Sequence, residues 1–295
     1  MGVQLVTLSS NLAEFSMPAS TQVWGLRLRV AKEVGLPLES QRLVLGDKVL
    51  DASSQVLGDF GSELVVTVLR RPRLQALSAT ASSLLLWDLE SRSFSSRLGE
   101  GLEPASCVDM SEQRALSSHG AHIMSWDLGR QRCTGTFSHC SQVTCFTVHW
   151  ANAKVLSGTR DGQLFLWDLL SLEALSSAFA EAPLRCLAAD WSARKAVSCG
   201  SKLSLWSLDN LSKVQDFDTG VPDPVALFLD WPRCVVAGQG LRLWNLASGT
   251  GEPFRCEAVL CAAVSWDADR LVTGGADGTL RLWSLSTRRI AAKRR

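Results

Sequence analysis

The sequence has no tyrosine, and only four of its 295 residues are histidine. It has almost no excess of charge: 30 Lys and Arg against 29 Asp and Glu leave a net charge of +1. Strong binding to nucleic acid or to anionic membranes draws on clustered positive charge, so neither partner is expected. No apolar run approaches the ~18 residues that read as a membrane-crossing helix. Residues 1–30 lack a basic stretch followed by an apolar core and a small-residue cleavage site, so a secretory signal is not expected. Gly2 follows the initial Met, but Val6 stands where N-myristoylation takes Ser or Thr. The nine cysteines include no Cys-x-x-Cys pair. His139, Cys140, Cys145 and His149 lie close in sequence at a spacing that fits no usual zinc pattern, and buried small hydrophobes are the better reading of the thiols. Scattered thiols without a framework suggest a reducing compartment, cytoplasmic or nuclear. No phosphate-binding glycine loop, metal-ligand set or nucleophile elbow appears, so neither a cofactor nor an enzymatic activity is expected.

Against these absences stands an excess of one residue. There are 11 tryptophans, and a surplus of one bulky residue is the mark of a repeat that reuses it. Six segments end alike: LLLWDL at Trp87, IMSWDL at Trp126, LFLWDL at Trp167, LSLWSL at Trp206, LRLWNL at Trp244 and LRLWSL at Trp283. Their intervals are 39, 41, 39, 38 and 39 residues. A period near 40 with a terminal Trp-Asp is the signature of a propeller blade. In the third unit VTCFTV, KVLSGT, LFLWDL and EALSSAF are β-rich and separated by turn residues, so four strands per blade are expected.

Residues 72–295 resemble the WD40 repeat family, and the third unit carries the pattern best. His139 is followed by Val143, Ser157, Asp161-Gly162 and Trp167. The resemblance implies that His139, Ser157, Asp161 and Trp167 form a hydrogen-bonded chain that locks the blade. The physics agrees, since a buried carboxylate is tolerable only when donors satisfy it. Read in isolation, His139, Ser157 and Asp161 would suggest a hydrolase triad, but their repeat positions explain them structurally. The sixth unit keeps Thr273, Asp277 and Trp283, with Arg255 in place of the His. The fourth and fifth units compress the turn to SCGSKLSLW and AGQGLRLW and lose the Asp. One fully locked blade and modest stability are the expectation.

A second tryptophan series falls at the turn after each first strand: Trp150 in VHWANAK, Trp191 in ADWSARK, Trp231 in LDWPRC and Trp266 in SWDADR, with Met110 in the matching place. In a propeller these turns share one face. Two readings follow: an aromatic binding surface, or packing between adjacent blades. Closure of the ring is the weak point, because the first unit starts near Leu74 and leaves no residues for its innermost strand. A six-bladed ring with an incomplete first blade, a strand lent by the N-terminal segment, and a shortened form of a seven-bladed protein all fit.

Residues 1–71 lack the tryptophan period and end at the basic run Arg70-Arg71-Pro72-Arg73. Strands fit VQLVTL, AEFSM, QRLVLG and ELVVTVL. A helix fits 21–34, with Val23, Leu26, Val30 and Val34 as its apolar stripe and Gly35-Leu36-Pro37 as its stop. The order is that of a small α+β module. Through TQVWGLRLRVAKEVGLP, QRLVLGDKVL and ELVVTVLRR it resembles ubiquitin, which implies a β-grasp fold. Leu8 and Val44 match the apolar docking patch of that family, and Thr67 falls where a third apolar residue belongs. Lys48 falls where ubiquitin accepts chain linkage; a solvated surface lysine is the alternative. Pro72 and the continuing chain replace a terminal Gly-Gly, so the implied role is a fixed docking domain. The last ten residues hold five basic side chains, Arg288, Arg289, Lys293, Arg294 and Arg295. They read as a solvated end or an import patch.

The expected protein is therefore multidomain, a ubiquitin-like module at 1–71 followed by an all-β propeller of about six blades at 72–295. The expected role is a non-enzymatic scaffold, a monomer within a complex with other proteins, among them ubiquitin-pathway or proteasome components. A substrate receptor of a cullin-type ligase is the alternative. The Arg that the family places two residues beyond Trp-Asp is absent, with Glu90, Gly129, Leu170, Asp209, Ala247 and Ser286 in its place.

Overall fold

The computed structural model describes residues 2–6, 11–18, 20–34, 41–45, 48–50, 63–70 and 75–294. The chain divides into two compact units, one of Met1–Gln75 with Asp88–Glu90, the other of Ala76–Trp87 and Ser91–Arg295, which holds the repeats.

The N-terminal unit contains β1 (Gly2–Val6), β2 (Asn11–Ser16), α1 (Val23–Val34), β3 (Gln41–Leu45), β4 (Lys48–Val49) and β5 (Glu63–Arg70). The strands form one mixed sheet in the order β2-β1-β5-β3-β4. β1 and β5 pair in parallel and the other pairs are antiparallel. The helix buries Val23, Leu26 and Val30, whose three- and four-residue spacing puts them on one stripe. Leu43 and Val66 are buried from the sheet. The Gln41 side-chain amide donates to the Arg27 carbonyl at 3.0 Å and ties β3 to the helix.

The second unit is a six-bladed β-propeller. Five blades are four-stranded antiparallel sheets, spanning residues 105–138, 143–179, 186–217, 226–253 and 259–294. Blade one, residues 75–98, shows three strands among the described residues. Every described strand of residues 2–70 pairs within its own sheet, and none of them lies in a blade sheet. From blade two to blade five, the first strands of adjacent blades make the closest approach.

Strand alternation gives each blade two faces. On one face the third-strand Trp and the residue paired with it meet the preceding blade. On the other, leucines and valines meet the following one. Trp126 packs with Leu84, Leu86 and Leu98 of blade one. Trp167 lies with Leu116, Ile123 and Phe137, and Trp206 with Leu156, Leu164 and Leu166. Trp244 and Trp283 repeat the pattern at the next two junctions. These five tryptophans are at most 7% exposed, whereas Trp87, on the outward face of blade one, is 36% exposed. The opposite face of blade six matches it: Val272 and Leu280 are 41% and 55% exposed, where the equivalent Val235 and Leu241 of blade five are buried. The same apolar pattern is thus fully covered at five junctions and only partly covered where blades six and one face each other.

Candidate functional site

The third-strand Trp of each blade carries an indole N–H that can only donate, so burial demands an acceptor. The second strand supplies it. Trp167 donates to Ser157 Oγ at 2.9 Å, and His139 Nε2 lies 2.8 Å from the same oxygen. With the indole as donor, the Ser157 hydroxyl proton is left for the imidazole. His139 also sits edge-on to Trp167 and Phe165, with ring centroids 4.9 and 5.3 Å away. Burial of His139 pulls its pKa down to about 4, against the opposing pull of the Ala121 and Phe137 carbonyls. Asp161 does not join this group. It accepts from the Thr159 hydroxyl at 2.5 Å, and His139 Nδ1 is not bonded to it. The expected four-member chain therefore has three linked members among the described residues, with Asp161 bonded to Thr159 instead.

Blade two builds the same triad by another route. Trp126 donates to Ser117 Oγ at 2.8 Å, and His119 Nε2 lies 2.8 Å from that oxygen. This imidazole comes from the second strand itself, two residues beyond the serine and on the same side of the pleat. That corrects the expectation of a single locked blade, and the signal was the spacing Ser117-x-His119. In blade six, Trp283 donates to Thr273 Oγ1 at 2.9 Å. Asp277 there accepts from the Thr279 hydroxyl at 2.7 Å and from Arg281, which hold its carboxyl well below the usual carboxylate range. Trp87 donates to Ser78 at 2.8 Å and Trp206 to Ser198 at 2.9 Å. Blade five breaks the rule: Val236 replaces the hydroxyl, and the Trp244 indole nitrogen is buried without a hydrogen-bond partner among the described residues.

The second tryptophan series joins blades on one face. Trp150 donates to Asp109 Oδ1 of blade two at 3.2 Å, and burial raises the Asp109 pKa. Trp191 lies 5.4 Å from the His149 ring of blade three. Trp231 lies 5.8 Å from Lys195 Nζ, and its backbone N–H donates to Asp190 Oδ2 at 3.0 Å, both of blade four. Trp266 lies 4.9 Å from the Arg233 guanidinium of blade five. Each of the four contacts the preceding blade, is half-buried, and keeps part of its ring in solvent. Packing between adjacent blades is thus seen at all four side chains.

The residues matched to ubiquitin's docking patch fall differently. Leu8 lies outside the described residues. Val44 is half-buried and is the Cα partner of Thr67 across β3 and β5, and Lys48 opens β4. One exposed apolar group was not picked out from the sequence: Trp24 and Leu28 on α1, four residues apart and therefore on one helix face. The thiols considered for a metal are separately placed, Cys145 buried and Cys140 exposed. Burial pushes the Cys186 pKa up to about 11 and the Cys199 pKa to about 12, which suits small hydrophobes better than nucleophiles. Among the described residues no helix is long and apolar enough to cross a membrane.

The family model described as "WD domain, G-beta repeat" matches residues 131–168 and 250–284, the stretches that end on the Trp of blades three and six. The chain is 25% identical over 257 residues to "Autophagy-related protein 16" of Arabidopsis thaliana, which covers 83% of this chain and 44% of that protein. The chain therefore spans less than half the length of this relative. A solved structure described as "Structure of U3-55K" is similar with a TM-score of 0.60 and 22% identity, over 67% of this chain and 65% of that one. At that identity the likeness speaks for the fold. The two matched stretches are WD40 repeats, and the six sheets together build a six-bladed propeller.

Proposed function

We propose that this protein is a non-enzymatic interaction scaffold. WD40 propellers generally act as platforms for other proteins. The observation that carries the reading here is the face bearing Trp150, Trp191, Trp231 and Trp266. It sets four half-buried indoles in line with Asp109, His149, Lys195 and Arg233. Half-buried, preorganised tryptophans flanked by charge are the composition of interface hot spots. The packing that fixes the rings between blades also holds them ready for a partner.

The N-terminal unit is proposed as a docking module for ubiquitin-pathway or proteasome components. Its strand order β2-β1-β5-β3-β4, with a parallel central pair and one helix, supports the ubiquitin-like reading. The exposed Trp24 and Leu28 add an apolar surface to it. The test is affinity capture from a cell lysate with the full chain. Ubiquitin-pathway proteins are expected in the eluate and are expected to fall in a Leu8→Ala, Val44→Ala variant. Capture unchanged in that double variant overturns the docking role. The tryptophan face is tested apart from it: Trp191→Ala and Trp231→Ala are expected to remove a different set of partners.

A further inference from the structure

Blade four holds a pocket of about 110 Å³, and its origin is visible by comparison with blade three. In blade three the His139 backbone N–H donates to the Ala121 carbonyl, which places the imidazole over Ser157. In blade four the residue making the same backbone bond, to the Gly162 carbonyl, is Ala180. The strand partner of Ser157 is Phe165, whereas the partner of the equivalent Ser198 is Ser204. Two rings that touch edge to face in blade three are thus both truncated in blade four. The turn above stays close, because Gly200 has no Cβ to strike the Pro183 carbonyl. What remains is a polar recess lined by Ala180, Ser198, Ser204, Glu181, Lys202 and Asp216.

The groups at its floor and rim define what fits. Ser198 is 1% exposed, and its oxygen accepts from the Trp206 indole at 2.9 Å. Its own proton has no hydrogen-bond partner among the described residues, whereas in blades two and three that hydroxyl meets an imidazole nitrogen at 2.8 Å. Near the rim, Asp216 accepts from Ser204 at 2.6 Å and pairs with Lys213 at 3.5 Å. Lys213 also reaches Glu181 at 3.3 Å. The floor therefore offers a hydroxyl proton and the rim offers carboxylate acceptors. A flat ring with an acceptor nitrogen on one edge and an N–H on another satisfies both. Phenyl has neither group, and a carboxylate, despite Lys202 at the rim, has no donor for Asp216 and Glu181 and adds like charge beside them. In size, a ring of five heavy atoms suits this volume, since a cavity of about 150 Å³ is enough for benzene.

We infer that this pocket is a recognition site for a neutral imidazole, presented as the histidine side chain of a partner segment. The inference rests on the scaffold reading and gives that scaffold one defined specificity. Binding to the isolated full chain is measured without any partner, so its failure is distinguishable from failure of the capture experiment.

The test is a titration of the full-length protein with imidazole, followed at the Trp206 indole N–H by NMR. A saturable shift is expected with a Kd of order 1–10 mM, suited to so small a ligand, with the other third-strand indoles unmoved. Ser198→Ala is expected to weaken binding at least about tenfold by removing the floor donor. Ala180→His, which supplies the ring from within, is expected to abolish it. Ser204→Phe closes the same space from the opposite wall and serves where Ala180→His does not fold. The tripeptide Gly-His-Gly is expected to compete with imidazole, and Gly-Phe-Gly is not. Absence of a saturable shift, or a shift retained when the pocket is filled, overturns the site. Binding of free imidazole without the tripeptide overturns its assignment to a partner's side chain.

Discussion

Blades three and five share strand order, and both bury their third-strand tryptophan, yet among the described residues only one of them gives its indole a partner. Trp167 has Ser157 and, behind it, His139. Trp244 faces Val236 and relies on Phe217 at 5.6 Å and the Arg242 guanidinium at 5.5 Å. Both tryptophans are at most 7% exposed. The comparison teaches that apolar contact across the junction places the ring, and that the hydrogen-bonded chain is a reinforcement some blades carry and others omit. An unsatisfied buried N–H costs about 1–3 kcal/mol, which is tolerable beside what a buried indole contributes.

The largest test of this view removes the rings. Trp167→Ala and Trp244→Ala are each expected to lower the unfolding free energy by about 3–5 kcal/mol. Trp87→Ala is expected to cost less, about 1–3 kcal/mol, because 36% of this residue already lies in solvent. Denaturant titration of the three variants decides it. A Trp244 cost below half that of Trp167 would show that the polar chain dominates instead.

A smaller effect sharpens the contrast through pH. The His139 pKa is about 4 in the fold and 6.5 for a free imidazole. Between those values the unfolded chain binds more protons, so the stability linked to His139 is complete above pH 6.5 and is lost as the pH falls toward 4. After allowance for solvent screening, the loss is expected at about 1–2 kcal/mol. His139→Gln should flatten that window in urea titrations at pH 7 and pH 4.5. An unchanged pH dependence would assign the titration elsewhere.

The smallest effect repairs blade five. Val236→Ser returns an acceptor to the Trp244 indole and gives up part of a buried side chain, so the net change is expected within about 1 kcal/mol of zero. Val235→Ser, one residue away on the opposite face, loses burial with no indole to satisfy. It is expected to be at least about 1 kcal/mol worse in thermal or urea unfolding.

Much of the propeller was legible because its signals are local and periodic. The third-strand tryptophans recur every 38–41 residues, and each one ends a β-rich stretch. The tryptophans after the first strands were placed on one face by the same period. The α1 stripe of Val23, Leu26 and Val30 was readable from helical spacing. What stayed hidden depended on register. His119 was passed over because the repeat places its imidazole in the loop before the blade, not on the second strand. The WD40 resemblance joined Asp161 to His139, whereas in the structure Asp161 accepts from Thr159. The pocket of blade four was not visible either, since Ala180 and Ser204 are 24 residues apart and unremarkable singly.

By itself the sequence determined the repeat, the strands and the side chains that fill each junction, because a period-two strand commits every residue to one face of its sheet. The tertiary structure decided which polar atoms meet, which junction is only partly covered and where a cavity forms. Those outcomes rest on pairs brought together across strands and loops, and on volumes left when two distant side chains are both small. No local pattern in the chain carries either.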